Sequence, residues 1–154
     1  TDCDTVSTGG GGLLQCGTGG SGSKIEFVQD FTNSTSTMGT TYVSSTASTT
    51  FNTATQKNLI ISVAGWAVHD QASSDGQVEV SLNIDGKNAT GTPMVTTQNT
   101  SGAGVGSNEE HNISFTYMIN ALPAGNHRID VIFRNAGSAG IATLVLRHFS
   151  VMSL

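Results

Sequence analysis

Charge is scarce in this chain. Asp, Glu, Lys and Arg make up 11% of its 154 residues, so its solubility rests on Ser, Thr, Asn and Gly. The six basic residues are scattered as Lys24, Lys57, Lys87, Arg128, Arg134 and Arg147, and the formal net charge is -5 with a pI near 5.1. Binding to nucleic acid needs clustered cations that displace counterions from phosphates, so no nucleic-acid partner is expected. No uninterrupted apolar run approaches the roughly 20 residues that span a bilayer, and no membrane partner is expected. A basic head followed by an apolar stretch is also missing from the start, which predicts a leader that is absent or already removed. Aromatic residues are few, at 6% with one tryptophan, and most of them alternate into apolar runs. That leaves few for stacking on sugars. Cysteine occurs only as Cys3 and Cys16; both lie in a glycine-rich stretch far from the apolar runs, which points to a bond between them or across subunits and not to core packing.

What is present is a two-residue hydrophobic period. Ile113, Phe115, Tyr117 and Ile119 fall on alternate positions, and so do Ile129, Val131 and Phe133 beyond the turn Leu122-Pro123-Ala124-Gly125-Asn126-His127. Alternation of this kind marks half-buried β-strands. In the turn, Pro123 pre-sets its backbone angle, Gly125 accepts a left-handed conformation, Asn126 tolerates one, and His127 begins the next strand. Further strand signals run over 24–31, 40–44, 49–52, 59–68 (the most apolar), 77–84 before the turn Asp85-Gly86, 93–97 as an edge strand, and 141–151. The last strand is expected to be central, with Leu154 finishing inside its sheet. No helix is apparent. About eight strands joined by Gly-, Asn- and Asp-rich turns predict an all-β protein, a two-sheet antiparallel β-sandwich or jelly roll. At 154 residues, with 36% hydrophobic residues, one domain with a real core is expected.

Residues 1–23 have a different composition. Ser7-Thr8-Gly9-Gly10-Gly11-Gly12 and Gly17-Thr18-Gly19-Gly20-Ser21-Gly22-Ser23 flank Leu13-Leu14-Gln15-Cys16, as in a linker. Fixing such a backbone costs about 1–2 kcal/mol per residue, while a Cys3–Cys16 disulfide recovers only about 3 kcal/mol. The stretch is therefore expected to be an extended arm ordered by other surfaces. One arrangement lays it across neighbouring subunits with Leu13 and Leu14 as its apolar anchor; the other folds it back on its own domain.

Three segments carry a resemblance: Val80-Ser81-Leu82-Asn83-Ile84-Asp85-Gly86; Leu122-Pro123-Ala124-Gly125-Asn126-His127-Arg128-Ile129-Asp130-Val131; and Arg147-x-Phe149-x-Val151-x-x-Leu154. In order and spacing, residues 24–154 resemble the tumour-necrosis-factor-like jelly roll of tailed-bacteriophage decoration, head-fibre and tail-fibre proteins. The resemblance implies a non-enzymatic virion protein on the outer surface of a phage particle, usually a homotrimer, with Leu122, Pro123, Ala124, Gly125 and His127 as the family turn. The glycine-rich arm lies outside that pattern. Joined to a compact head, it suits a decoration or cement protein that contacts the major capsid protein or neighbouring virion proteins through residues 1–23. The alternative is a receptor-binding fibre tip or glycan-binding module using the loops 71–76 and 101–107.

Candidate chemistry is sparse. His69, His111, His127 and His148 accompany many serines, but no Gly-x-Ser-x-Gly elbow marks a nucleophile. His69-Asp70 reads as a strand end entering a loop. Glu109-Glu110-His111 lacks a second histidine at ligand spacing and reads as a solvated loop entering a strand. Asp70, Asp75 and Asp85 lack calcium-loop spacing and read as turn caps. The glycine runs at 17–24 and 102–106 fail the phosphate- and dinucleotide-loop patterns. Asn33, Asn88, Asn99 and Asn112 begin glycosylation triplets expected by chance in this composition. Trp66 is expected to pack in the core or at a subunit interface. No cofactor, metal or catalytic residue is expected.

Overall fold

The computed structural model describes residues 6–8, 14–16, 25–28, 34–70, 76–98, 109–137 and 140–154; up to Ser36, and at Glu109, the description is of the backbone alone. The described residues are organised as strands, without helix. β1 (Val6–Thr8) and β2 (Leu14–Cys16) pair antiparallel with each other and join neither large sheet. The first five-stranded sheet runs β10 (Glu109–Leu122), β6 (Lys57–His69), β12 (Ala142–Ser153), with β3 (Ile25–Val28) and β4 (Ser34–Thr37) both along the far side of β12. In the second, β5 (Val43–Thr53), β11 (Gly125–Asn135) and β7 (Gln77–Ile84) are neighbours, and β8 (Lys87–Asn88) and β9 (Val95–Gln98) pair with β7. All pairings are antiparallel, and the long strands β5, β6, β7, β10, β11 and β12 alternate between the two sheets. The chain is an all-β, two-sheet antiparallel sandwich with the winding of a jelly roll.

The eight strands read from the sequence are β3, β5, β6, β7, β9, β10, β11 and β12. The short β1, β2, β4 and β8 span too few residues to show a period. The runs 40–44 and 49–52 belong to one strand, β5, because residues 45–47 bulge opposite Val131: Asp130 pairs with Ser48 but Ile132 with Ser44. The bulge points Ala47 into the core, fully buried, with its N–H donated to Ser45 Oγ at 3.1 Å.

Alternation builds the core. Leu59, Ile61, Val63 and Ala67 of β6 and Ile113 of β10 face Val78, Val80 and Leu82 of β7 and Ile129, Val131 and Phe133 of β11, all essentially inaccessible. On β12, Leu144 and Leu146 are even-numbered while Phe149 and Val151 are odd, so an unbroken strand would turn one pair to solvent. A register shift between Leu146 and His148 inserts Arg147 as an extra residue, and all four side chains reach the core. Opposite this bulge lies Gly65, paired with Leu146. A Cβ there would sit 2.2 Å from the Val145 carbonyl oxygen and 2.9 Å from Leu146 Cα, so the close approach of backbones requires glycine.

Three expectations are corrected. β12 is central, between β6 and the β3/β4 edge, but Leu154 lies beyond its end with 54% exposure, its N–H donated to the Asn58 carbonyl at 2.9 Å. Of the two places expected for Trp66, the core is excluded and the subunit interface is not: even-numbered residues of β6 face outward, and Trp66 is half-buried there under the Arg147 guanidinium, 4.2 Å from the ring centre. The left-handed residues at the β10–β11 turn are Ala121 (φ 60°) and Gly125 (φ 142°), not Asn126.

Candidate functional site

Two turns meet at one end of the sandwich. Between β7 and β8, Asp85 (φ 52°) and Gly86 (φ 83°) are both left-handed, the geometry of a tight two-residue hairpin loop whose preferred sequence is Asp-Gly or Asn-Gly. The Asn83 side-chain oxygen accepts the Gly86 N–H at 2.8 Å. Between β10 and β11, the strained Ala121 is held on both sides, its N–H donated to Asn58 Oδ1 at 2.9 Å and its carbonyl accepting from Gln56 Nε2 at 3.1 Å. Leu122 is buried, and the Pro123 carbonyl accepts the Thr53 hydroxyl at 2.8 Å.

His127 joins the two turns. Its Nδ1 lies 2.7 Å from Asp85 Oδ2 and its Nε2 2.9 Å from the Pro123 carbonyl. Both partners are acceptors, so the ring satisfies both only as the imidazolium, with a proton on each nitrogen. The Asp85 hydrogen bond raises the His127 pKa above its ordinary value; partial burial opposes this, and the Pro123 bond and the Asp85 charge reinforce it. At Asp85, burial pushes the pKa up, but the His127 bond, the Arg128 N–H (2.8 Å to Oδ1) and the nearby His127 and Lys87 charges outweigh it and hold the carboxyl below its usual range. An imidazole engaged at both nitrogens clamps the two turns together.

Beside the clamp is an open cleft of about 450 Å³ lined by Thr50, Phe51, Asn52, Asp85, Asn126, His127 and Arg128. Phe51 stands 5.8 Å from the His127 ring, centre to centre. Asn52 Nδ2 donates to Asn126 Oδ1 at 2.6 Å across paired positions of β5 and β11. Arg128 Nε donates to both oxygens of Asp130, at 2.9 and 3.1 Å, with Nη2 2.8 Å from Oδ1.

At the opposite end, His69 is buried on the inner face of β6 with Nε2 3.0 Å from Asn135 Oδ1; Asn135 also donates to the Gly140 carbonyl and accepts the Gly137 N–H. Asp70 caps the start of β12 by accepting the Ile141 N–H. On the second sheet, Glu79 accepts Arg134 Nε at 2.6 Å and the Tyr42 hydroxyl at 3.2 Å, with the guanidinium 4.8 Å from the Tyr42 ring centre. His148 Nε2 lies 3.0 Å from Ser150 Oγ, two residues along the same strand. Among the described residues, no three His, Cys, Asp or Glu side chains converge as a metal site.

Of the turn residues Leu122, Pro123, Ala124, Gly125 and His127, the His127 ring links the Pro123 carbonyl to Asp85, Leu122 is buried, Gly125 is half-buried, and the Pro123 and Ala124 side chains are exposed. Asp85 was read as a cap, and its partner His127 lies 42 residues away; the Asp-Gly pair signals the turn but nothing local signals that partner. Glu109, Glu110 and His111 are strand residues, His111 half-buried on the inner face, so the expected solvated loop is corrected. Asn88 lies in β8 and accepts the Ser81 hydroxyl at 3.0 Å. Cys3, Leu13, Asn33, Asp75 and Asn99, residues 71–75 and 101–108, and the whole of the glycine run at 17–24 lie outside the described residues. Leu14 and Cys16 are seen as backbone in β2, opposite Thr8 and Val6.

No family model and no curated protein matches the sequence. Solved structures with a similar course include dimeric latent PorU from Porphyromonas gingivalis (TM-score 0.46, 12% identity, 86% of this chain and 12% of that one). Another is the infectious bursal disease virus VP2 subviral particle (0.46, 11%, 96% and 37%). A third is the CBM36-1 domain of a multidomain xylanase from the hindgut metagenome of Trinervitermes trinervoides (0.42, 13%, 83% and 96%). The chain thus spans well under half of the PorU and VP2 chains.

Proposed function

We propose that this protein is a non-enzymatic structural component of a phage-like virion, a capsid decoration or head-fibre protein attached through residues 1–23. The observation that carries the reading is the division of the chain. Residues 6–8 and 14–16 form a ladder of their own, whereas β3 onward builds the sandwich. β2 lies beside β3, but a two-stranded ladder outside the large sheets is marginally stable in water, so this glycine-rich arm gains most by lying against a further surface, and the major capsid protein or a neighbouring virion protein supplies it. The family resemblance of residues 24–154 supports the virion setting and a homotrimer. The imidazolium clamp supports a non-catalytic role for His127, whose ring has no nitrogen left for proton transfer. Cys3 and Cys16 then staple the arm, to each other or to an adjacent chain.

The test is co-sedimentation with particles stripped of this protein. Deleting residues 1–23 is expected to abolish binding while leaving thermal unfolding of the remaining sandwich nearly unchanged. Undiminished binding by the arm-deleted protein moves attachment to the sandwich and favours the fibre-tip alternative.

A further inference from the structure

We propose that the free edge of β10 pairs with the same edge of a second copy, antiparallel about a two-fold axis at Thr116, so that two β10-β6-β12 sheets join into one. The contact belongs to the sandwich and does not involve residues 1–23.

A strand at the edge of a sheet presents unpaired N–H and C=O groups, and proteins that stay apart blunt such edges with short strands, bulges, Lys or Pro. Among the described residues, three of the four edges of the two large sheets are blunted in this way. β3 and β4 span four residues each, β8 and β9 two and four, and β5 carries the bulge at 45–47. β10 is the exception. With 14 residues it is the longest strand described, and it follows β6 residue by residue from Glu109 to Ile119 without a bulge. From His111 to Leu122 it holds no Lys, Arg, Asp, Glu or Pro. Its inner face is also incompletely covered: Phe115, Tyr117 and Ile119 stay half-buried, whereas their β6 partners Val63, Ile61 and Leu59 are buried.

The strand complements itself. A one-residue change of register turns every side chain to the other face, so a continuous sheet needs inward residues opposite inward ones. Pairing about Thr116 meets this condition. Ile113 faces Ile119, Phe115 faces Tyr117, Ser114 faces Met118 and Thr116 faces Thr116 of the second copy. Aliphatic and aromatic cross-strand pairs of this kind favour association. Charge selects the antiparallel arrangement, which carries Glu109 and Glu110 of the two copies to opposite ends of the contact; a parallel one stacks them side by side. A single strand pair buries less than the roughly 1,200 Å² of a stable complex. The contact is therefore weak, and it forms between copies held close together and not in dilute solution.

The test is cysteine trapping in the full chain at about 1 mM, near the Kd of a weak contact. Oxidised glutathione is the oxidant, and linked peptides are identified by mass spectrometry, so bonds of Cys3 and Cys16 are read separately. Thr116→Cys sets two thiols directly opposite, within the Cα separation that a disulfide spans. Ser114→Cys, exposed on the same face, sets them four residues of strand apart, about 14 Å and beyond that reach. Thr116→Cys is expected to give about tenfold more self-linked product than Ser114→Cys, because pairing raises the effective concentration of facing thiols alone. In a mixture, Ser114→Cys and Met118→Cys are expected to link to each other in preference to themselves. All three positions are exposed, so the substitutions leave the core intact. Two results overturn the proposal: no excess of Thr116→Cys over Ser114→Cys in self-linking, or no preferential link between Ser114→Cys and Met118→Cys. Neither result bears on arm-dependent co-sedimentation.

Discussion

The bond between His127 and Asp85 gives the protein a defined pH window. His127 has a folded pKa above 6.5, so its contribution is complete below about 6.5 and is lost as pH rises through the folded value. Asp85 has a folded pKa below 3.8, so its contribution is complete above about 3.8 and is lost as pH falls through the folded value. The pair therefore stabilises most between those limits. Because the Asp85 side chain is 43% exposed, solvent screening limits the effect to about 1 kcal/mol, or about 2–4 °C in Tm. In thermal unfolding at a series of pH values, the gap between the natural protein and His127→Gln is expected to be widest at pH 4–6.5 and to narrow in alkali. A gap that stays constant to pH 10 contradicts the doubly protonated ring.

Along β12, Arg147, the extra residue of the bulge, keeps four core side chains on one face, and Gly65 on β6 is the residue that lets the bulge close. Gly65→Ala forces a methyl group against the Val145 carbonyl, a contact backbone cannot yield cheaply. A loss of about 3 kcal/mol in urea unfolding is expected, in line with overpacking at a tight backbone approach; a loss below about 0.5 kcal/mol, the size of an ordinary surface change, contradicts the steric argument. The same bulge sets Arg147 over Trp66 on the outer face. A single extra residue thus serves both faces of the sheet.

The proposed trimer concerns the whole molecule. The outer face of the β10-β6-β12 sheet carries Trp66 and a rung in which Met118 and Met152 flank Ile60, and Met118 is 52% exposed. Its exposed β10 positions are otherwise mostly uncharged, as at Asn112, Ser114 and Thr116, which suits burial between copies. Light scattering of the full chain is expected to give a trimer, and Met118→Glu, which places a charge in that rung, is expected to shift it to monomer. A trimer indifferent to Met118→Glu moves the contact to another face, and a monomer at high micromolar concentration removes the trimer altogether.

The fold class was legible in the sequence because side-chain alternation is a local property: Ile113 to Ile119 and Ile129 to Phe133 show their buried faces residue by residue. The Asp85-Gly86 and Leu122–Gly125 turns were legible for a similar reason, since their residues have their own backbone preferences. The two runs of β5 were read apart because a bulge breaks the period that signals a strand, and Trp66 was left between core and subunit interface because apolar character does not say which face of a strand looks inward. The clamp and the cleft had no local signature. His127 meets Asp85, and Asn52 meets Asn126, only after β5, β7 and β11 have paired. Likewise nothing near Gly65 in the chain announces the Val145 carbonyl that excludes a side chain there. The sequence by itself determined the strands and their turns, through local sterics and hydrophobic period; long-range pairing alone decided which polar groups would face one another, and so where a site could form.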